Sequence, residues 1–195
     1  METIKKVIFT VAGICLLIAC SKSDRFWGDE PFGNTTKDCH GEPVKVTLPF
    51  KADLIGEYQS QLPDVDCGYS DLNPYMYRII VSAKGTATHL GNTQGYFNFC
   101  CNIMNGVYGP ADAYFVAANG DKLFVSCQGQ VLMGRLDDHP DYVNSYWRDP
   151  FVIIGGTGRF EGATGGGMTD DYNSDLDPYS HHHWKGTITL TKGKQ

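Results

Sequence analysis

Phe151–Met168 reads FVIIGGTGRFEGATGGGM, and this stretch decides the fold. Four apolar residues run into a segment where seven of the thirteen positions from Gly155 to Gly167 are glycine. Such density asks for positive φ, tight turns or close approach of neighbouring chain. Spacing excludes a phosphate-cradling loop. After Gly156 and Gly158, the G-x-G-x-x-G pattern needs glycine where Glu161 stands, and no Gly-Lys-Ser/Thr follows. The chemistry is that of a hairpin between two closely packed strands.

Working outward, the same period of two recurs on both sides. Val44, Val46, Leu48 and Phe50 alternate with polar neighbours, as do Tyr77, Ile79, Val81, Ala83, Gly85 and Ala87. Further runs cover residues 96–103, 111–118, 123–131, 151–157 and 163–170. In the last run, residues 184–191, Trp184, Gly186, Ile188 and Leu190 share a face. No helical period competes. The count predicts an all-β domain over 44–192, an eight-stranded antiparallel up-and-down β-barrel, with a β-sandwich as the alternative.

The connections alternate between short and long. Turns near His89–Asn92, Asn119–Asp121 and Gly158–Gly162 are tight, whereas the stretches 56–75, 134–150 and 170–183 are long. In an up-and-down barrel these sets fall at opposite ends. The long set carries aromatic and acidic residues together, and Tyr69, Tyr75, Tyr142, Tyr146, Trp147 and Tyr172 are its candidate ligand-binding rim.

The segments GGTGRFEGATG (Gly155–Gly165), GTATHLGN (Gly85–Asn92) and FVAANGDKL (Phe115–Leu123) resemble the allene oxide cyclase and dirigent-like barrel family in its small bacterial lipoprotein relatives. The resemblance implies an eight-stranded barrel with an interior cavity and a cyclase or coupling-guide activity in some members. No catalytic residue of those enzymes falls in the three segments, so none is carried over.

The N-terminus reads as an address. Lys5 and Lys6 precede an apolar run too short for a good spanning helix, ending in Leu17-Ile18-Ala19-Cys20. This predicts a lipoprotein signal peptide over 1–19, lipidation of Cys20, and a flexible tether over 20–43. The expected location is the bacterial cell envelope, lipid-anchored at the outer membrane, with the membrane as a partner through the anchor. Net charge is −6 without a cluster of Lys or Arg, which argues against nucleic acid.

Candidate chemistry is sparse. His89 continues the inward phase of Ala83, Gly85 and Ala87, so it is the acid–base candidate, with Tyr77 on the same face as helper. His181 and His183 with Asp170 or Asp171 offer a Zn²⁺ set. Asp171, Asn173, Asp175 and Asp177 have the spacing of a Ca²⁺ loop, departing from it at Leu176 and His182. Apart from these two options no cofactor is called for. Of the cysteines beyond Cys20, Cys101 and Cys127 face inward as packed thiols or a pair, Cys100 faces outward, and Cys39 and Cys67 are candidates to pair.

The inward residues read as almost entirely apolar, and Ala83, Gly85, Ala87 and Gly186 leave room. This predicts binding of a small apolar ligand, a glycan or an envelope partner. An isomerase or cyclase acting inside the barrel and a structural envelope protein are the alternatives.

Overall fold

The computed structural model describes residues 43–193. The expected signal peptide over 1–19, Cys20, Cys39 and nearly all of the expected tether over 20–43 lie outside that range. The elements are β1 (Lys45–Pro63), β2 (Met76–Ala87), β3 (Gly91–Asn102), β4 (Val107–Tyr108), β5 (Asp112–Val116), β6 (Lys122–Cys127), β7 (Gly129–Gln130), β8 (Leu132–Met133), β9 (Val143–Trp147), β10 (Pro150–Gly156), β11 (Thr164–Thr169), β12 (Asp171–Ser174) and β13 (Ser180–Thr191). Strands β1, β2, β3, β5, β6, β10, β11 and β13 pair in that order, and β1 pairs back onto β13 from Lys45↔Thr191 to Gly56↔Ser180. The result is a closed eight-stranded antiparallel barrel with extra strands outside it. Closure pairs every barrel edge, which removes the exposed backbone of an open sheet. The sandwich alternative is excluded.

The opening hairpin is β10–β11, in register from Pro150↔Met168 to Ile153↔Gly165. Its glycines permit tight interstrand contact: a Cβ on Gly186 of β13 would overlap the Gly166 carbonyl and Gly167 Cα opposite. Between the strands, a 3₁₀ turn at Gly158–Phe160 drops Phe160 into the barrel base, where it is fully buried. Leu90, from the tight turn after β2, is buried beside the same end, and Arg159 ties the two turns by donating to the His89 carbonyl. The chain ends of the barrel, Lys45 and Thr191, lie at this closed base.

Inward residues fill the lower barrel. Trp184 meets Phe151 at 4.7 Å and Phe115 edge-on at 5.3 Å, and Phe50 and Phe97 pack around them. Burying each such ring stabilises by about 1.5–3 kcal/mol. The small inward residues are part of this packing and do not create the expected room. Ala83 and Ala87 are buried, and a Cβ on Gly85 would overlap the Asp53 carbonyl of β1.

Two strands run longer than their alternation suggested. β1 continues to Pro63 through a bulge between Tyr58 and Ser60, and β13 starts at Ser180. The long connections are also partly ordered. β4 and β7 pair near the mouth, and β12, on the upper end of β13, carries β9 and then β8. A disulfide joins Cys67, in the first long loop, to Cys100 of β3. That corrects the Cys39–Cys67 pairing: β3 presents Cys100 outward, within 5.3 Å Cα–Cα of Cys67. Cys101 and Cys127 are buried, as their inward phase predicts, and of the two options they are free thiols and not a pair.

Candidate functional site

The inward phase of β13 runs Trp184, His182, Ser180, and all three are buried. β11 and β12 lie along β13 almost as one strand, interrupted at Asp170, so that Asp171 points inward beside His182. Asp171 is 1% exposed, and three N–H groups hold its carboxylate. His182 Nδ1 lies 2.8 Å and Trp184 Nε1 3.0 Å from Oδ2, while the His183 backbone N donates to Oδ1 at 2.9 Å. A buried carboxylate without such partners would cost several kcal/mol.

The other ring nitrogen of His182, Nε2, lies 2.9 Å from Ser180 Oγ. A carboxylate only accepts, so His182 Nδ1 carries a proton; in the neutral ring Nε2 then accepts from the Ser180 hydroxyl. The Gly56 carbonyl, 3.4 Å from Ser180 Oγ, is a longer second acceptor. Gly56 is required here, because any Cβ at that position would overlap Ser180 Oγ, His182 Nε2 and Val81. Phe97 stacks on the His182 ring at 5.2 Å and Trp147 meets it edge-on at 5.8 Å, fixing its plane. Tyr58 donates to Asn173 Oδ1 at 2.9 Å, and burial raises its pKa, so it stays a neutral donor.

Around this chain is an inner cavity of about 50 Å³, lined by Tyr58, Phe97, Phe99, Val131, Trp147 and the Ser180–His182–Asp171 set among others. Tyr58, Phe99 and Val131 also border an open vestibule of about 550 Å³ at the mouth. Exposed Ile103, Met104, Leu132 and Met133 line that vestibule. The expected apolar interior therefore needs correction: an acid, a base and a hydroxyl line the inner cavity beside the apolar vestibule.

The other anticipated residues separate. His89 lies in the tight turn with φ +66°, partly exposed, its Nε2 2.9 Å from the Pro49 carbonyl. Leu90 takes the inward place instead. Tyr77 is at the mouth end of β2, ten residues from Ala87, or about 33 Å along the strand. The two cannot act as a pair.

Among the rim residues, Trp147 alone reaches the inner cavity. Tyr142, Tyr146 and Tyr172 cluster on the outer flank with His139, and Tyr172 stacks on His181 at 4.7 Å and His183 at 5.8 Å. Tyr69 and Tyr75 belong to the first long loop, which the Cys67–Cys100 disulfide joins to β3.

The metal candidates each take another partner. His181 contacts Asp177 at 3.2 Å, His183 contacts Asp53 at 2.9 Å, and Asn144 donates to Asp175 at 2.8 Å. Asp171 and Asn173 serve His182 and Tyr58. Among the described residues, no group of three or more His, Cys, Asp or Glu is placed to hold an ion. Along the Ca²⁺ spacing, Asp171 is buried and Asn173 half-buried on β12, whereas Asp175 is exposed on the connection that follows.

By class, this is a closed antiparallel barrel with a buried Ser–His–Asp chain beneath an apolar mouth. Compared with family models, characterised proteins and solved structures, the chain gives no match. Its function is therefore read from these residues. Among the described residues no helix is long and apolar enough to cross a membrane.

Proposed function

We propose that the barrel is the binding domain of an envelope lipoprotein, taking a small, largely apolar molecule through its long-loop mouth. One observation carries this reading: the apolar vestibule and an inner cavity lined by hydroxyl and imidazole groups lie on either side of Tyr58, Phe99 and Val131, which border both. Apolar walls with a few convergent polar groups are the composition of a small-molecule site. The inner cavity has room for a few heavy atoms only, so the ligand's polar end lies there and its apolar body occupies the vestibule. Lipidation of Cys20 would anchor the chain at the membrane. The Cys67–Cys100 disulfide suits an exported chain.

A cyclase or isomerase acting inside the barrel is the second reading, favoured by the presence of an oriented base, His182, in the cavity. Binding is tested by titrating the full chain with the neutral dye N-phenyl-1-naphthylamine and following energy transfer from Trp147 and Trp184. The expected result is saturable one-site binding, lost in Val131→Arg, which places a charge at the border of the two cavities. No saturable binding, or equal binding in Val131→Arg, would refute the proposal.

A further inference from the structure

We infer that Ser180 is an activated nucleophile and that the barrel cleaves esters of small acyl groups. This rests on the reading that the inner cavity accepts a small molecule. The arrangement has three working parts. Ser180 Oγ is 2.9 Å from His182 Nε2, His182 Nδ1 is 2.8 Å from Asp171 Oδ2, and Asp171 is locked by Trp184 Nε1 and the His183 backbone N. A hydroxyl against a base, with the base oriented by a third group, is the signature of nucleophilic catalysis.

Two further observations separate this from a merely satisfied polar cluster. Ser180 and His182 line the inner cavity, which shares Tyr58, Phe99 and Val131 with the vestibule, so the hydroxyl faces space one side chain away from the mouth. Gly56 also keeps that contact free of any opposing side chain. Asp171 acts through His182 and is a positioning residue. Tyr58, on the same cavity wall, would donate to the carbonyl oxygen as negative charge develops on it by turning its hydroxyl away from Asn173 Oδ1.

The reaction balances with ester and water alone. Ser180 Oγ bonds to the acyl carbon while its proton passes to His182 Nε2. The bond from the acyl carbon to the alcohol oxygen breaks, and that oxygen takes the proton from His182. Water then attacks the acyl-serine, giving its proton to His182 Nε2. The Ser180 Oγ–acyl bond breaks, releasing the carboxylic acid, and Ser180 recovers its proton from His182. An inner cavity of about 50 Å³ limits the acyl group to acetyl or a close neighbour in size, with the alcohol portion in the apolar vestibule. Ser180→Ala removes the nucleophile with little change in volume. Asp171→Asn keeps the shape but spoils the imidazole tautomer, a change that lowers turnover on the order of 10⁴-fold in serine hydrolases.

The test uses p-nitrophenyl acetate on the full chain, following nitrophenol release and locating acetyl groups by peptide mass spectrometry. The dye titration is run on the same samples. Expected are saturable release and acetylation at Ser180 and a loss of at least about 10³-fold in Ser180→Ala. Release in wild type should also rise with pH through a single ionisation that Ser180→Ala lacks. Dye binding without Ser180 acetylation, or lysine acetylation at the same rate in both proteins, overturns the nucleophile and leaves the binding reading standing. Absence of both dye binding and acetylation overturns both.

Discussion

Asp171→Asn isolates the buried chain from its surroundings because it changes charge and hydrogen bonding while keeping shape. The native carboxylate accepts from His182 Nδ1 and Trp184 Nε1 on one oxygen and from the His183 backbone N on the other. An asparagine that puts its carbonyl towards the two side-chain donors must turn its NH₂ towards the His183 N–H. One hydrogen bond is lost and a buried donor faces another donor, costing about 1–3 kcal/mol. The two surviving bonds fall from charge-assisted to neutral, about 1 kcal/mol each. The sum is about 3–5 kcal/mol, the range found when one partner of a buried ion pair is removed. For a domain of this size that corresponds to a fall in Tm of roughly 10 °C. Thermal unfolding followed by circular dichroism measures it. Asp175→Asn is the control, since Asp175 is exposed and receives the bond from Asn144; it should stay within about 0.5 kcal/mol of wild type. Equal Tm values for the two variants would refute the buried-network reasoning.

Three other perturbations follow from the same structure. Replacing Cys67 and Cys100 by serine opens a crosslink spanning a sequence separation of 33, and should lower the urea-derived stability by about 2–4 kcal/mol; no change would mean that the bond does not form. Burial works against the ionised Asp170 carboxyl, but hydrogen bonds from His139 and Arg148 hold it below its usual 3.8, and Arg78 does the same for Asp64. Stability from these two is therefore present above the ordinary carboxylate range and lost as pH falls through their lowered values; Asp170→Asn should shallow that acid limb in urea midpoints measured against pH, and an unchanged limb would count against the pairing. Burial pushes the Cys127 thiol up to about 12 and raises Cys101, so peptide mapping after alkylation at pH 8 should find both unmodified in the folded chain and modified in urea; rapid native labelling would contradict their burial.

Much of the architecture was legible because a half-buried strand repeats every two residues. Eight such runs, with tight and long connections alternating, lead to the closed barrel, and the glycine density of Gly155–Gly167 marks the hairpin that plugs its base with Phe160. The site was harder to read. His182 was legible as inward from its phase with Trp184, but Ser180 two residues earlier read as part of the long connection, because Asp, Pro and Ser before it carry no strand pattern. Continuing the alternation one step would have found it. The inward turn of Asp171 depends on the interruption at Asp170 and on pairing with both β13 and β9, which is tertiary information. His89 failed for a local reason: a left-handed φ in the turn breaks the alternation and hands the inward position to Leu90. Cysteine spacing permits several pairings, and only the register of β3 beside the first loop selects Cys67–Cys100.

The barrel as a binding domain is tested most directly by native mass spectrometry of the full chain isolated from the cells that make it, compared with Val131→Arg prepared in the same way. The wild-type chain should carry one small molecule that is released on unfolding, and the variant should not. A wild-type barrel without bound mass, or the same mass retained by Val131→Arg, would contradict the proposal that the mouth and inner cavity hold the ligand.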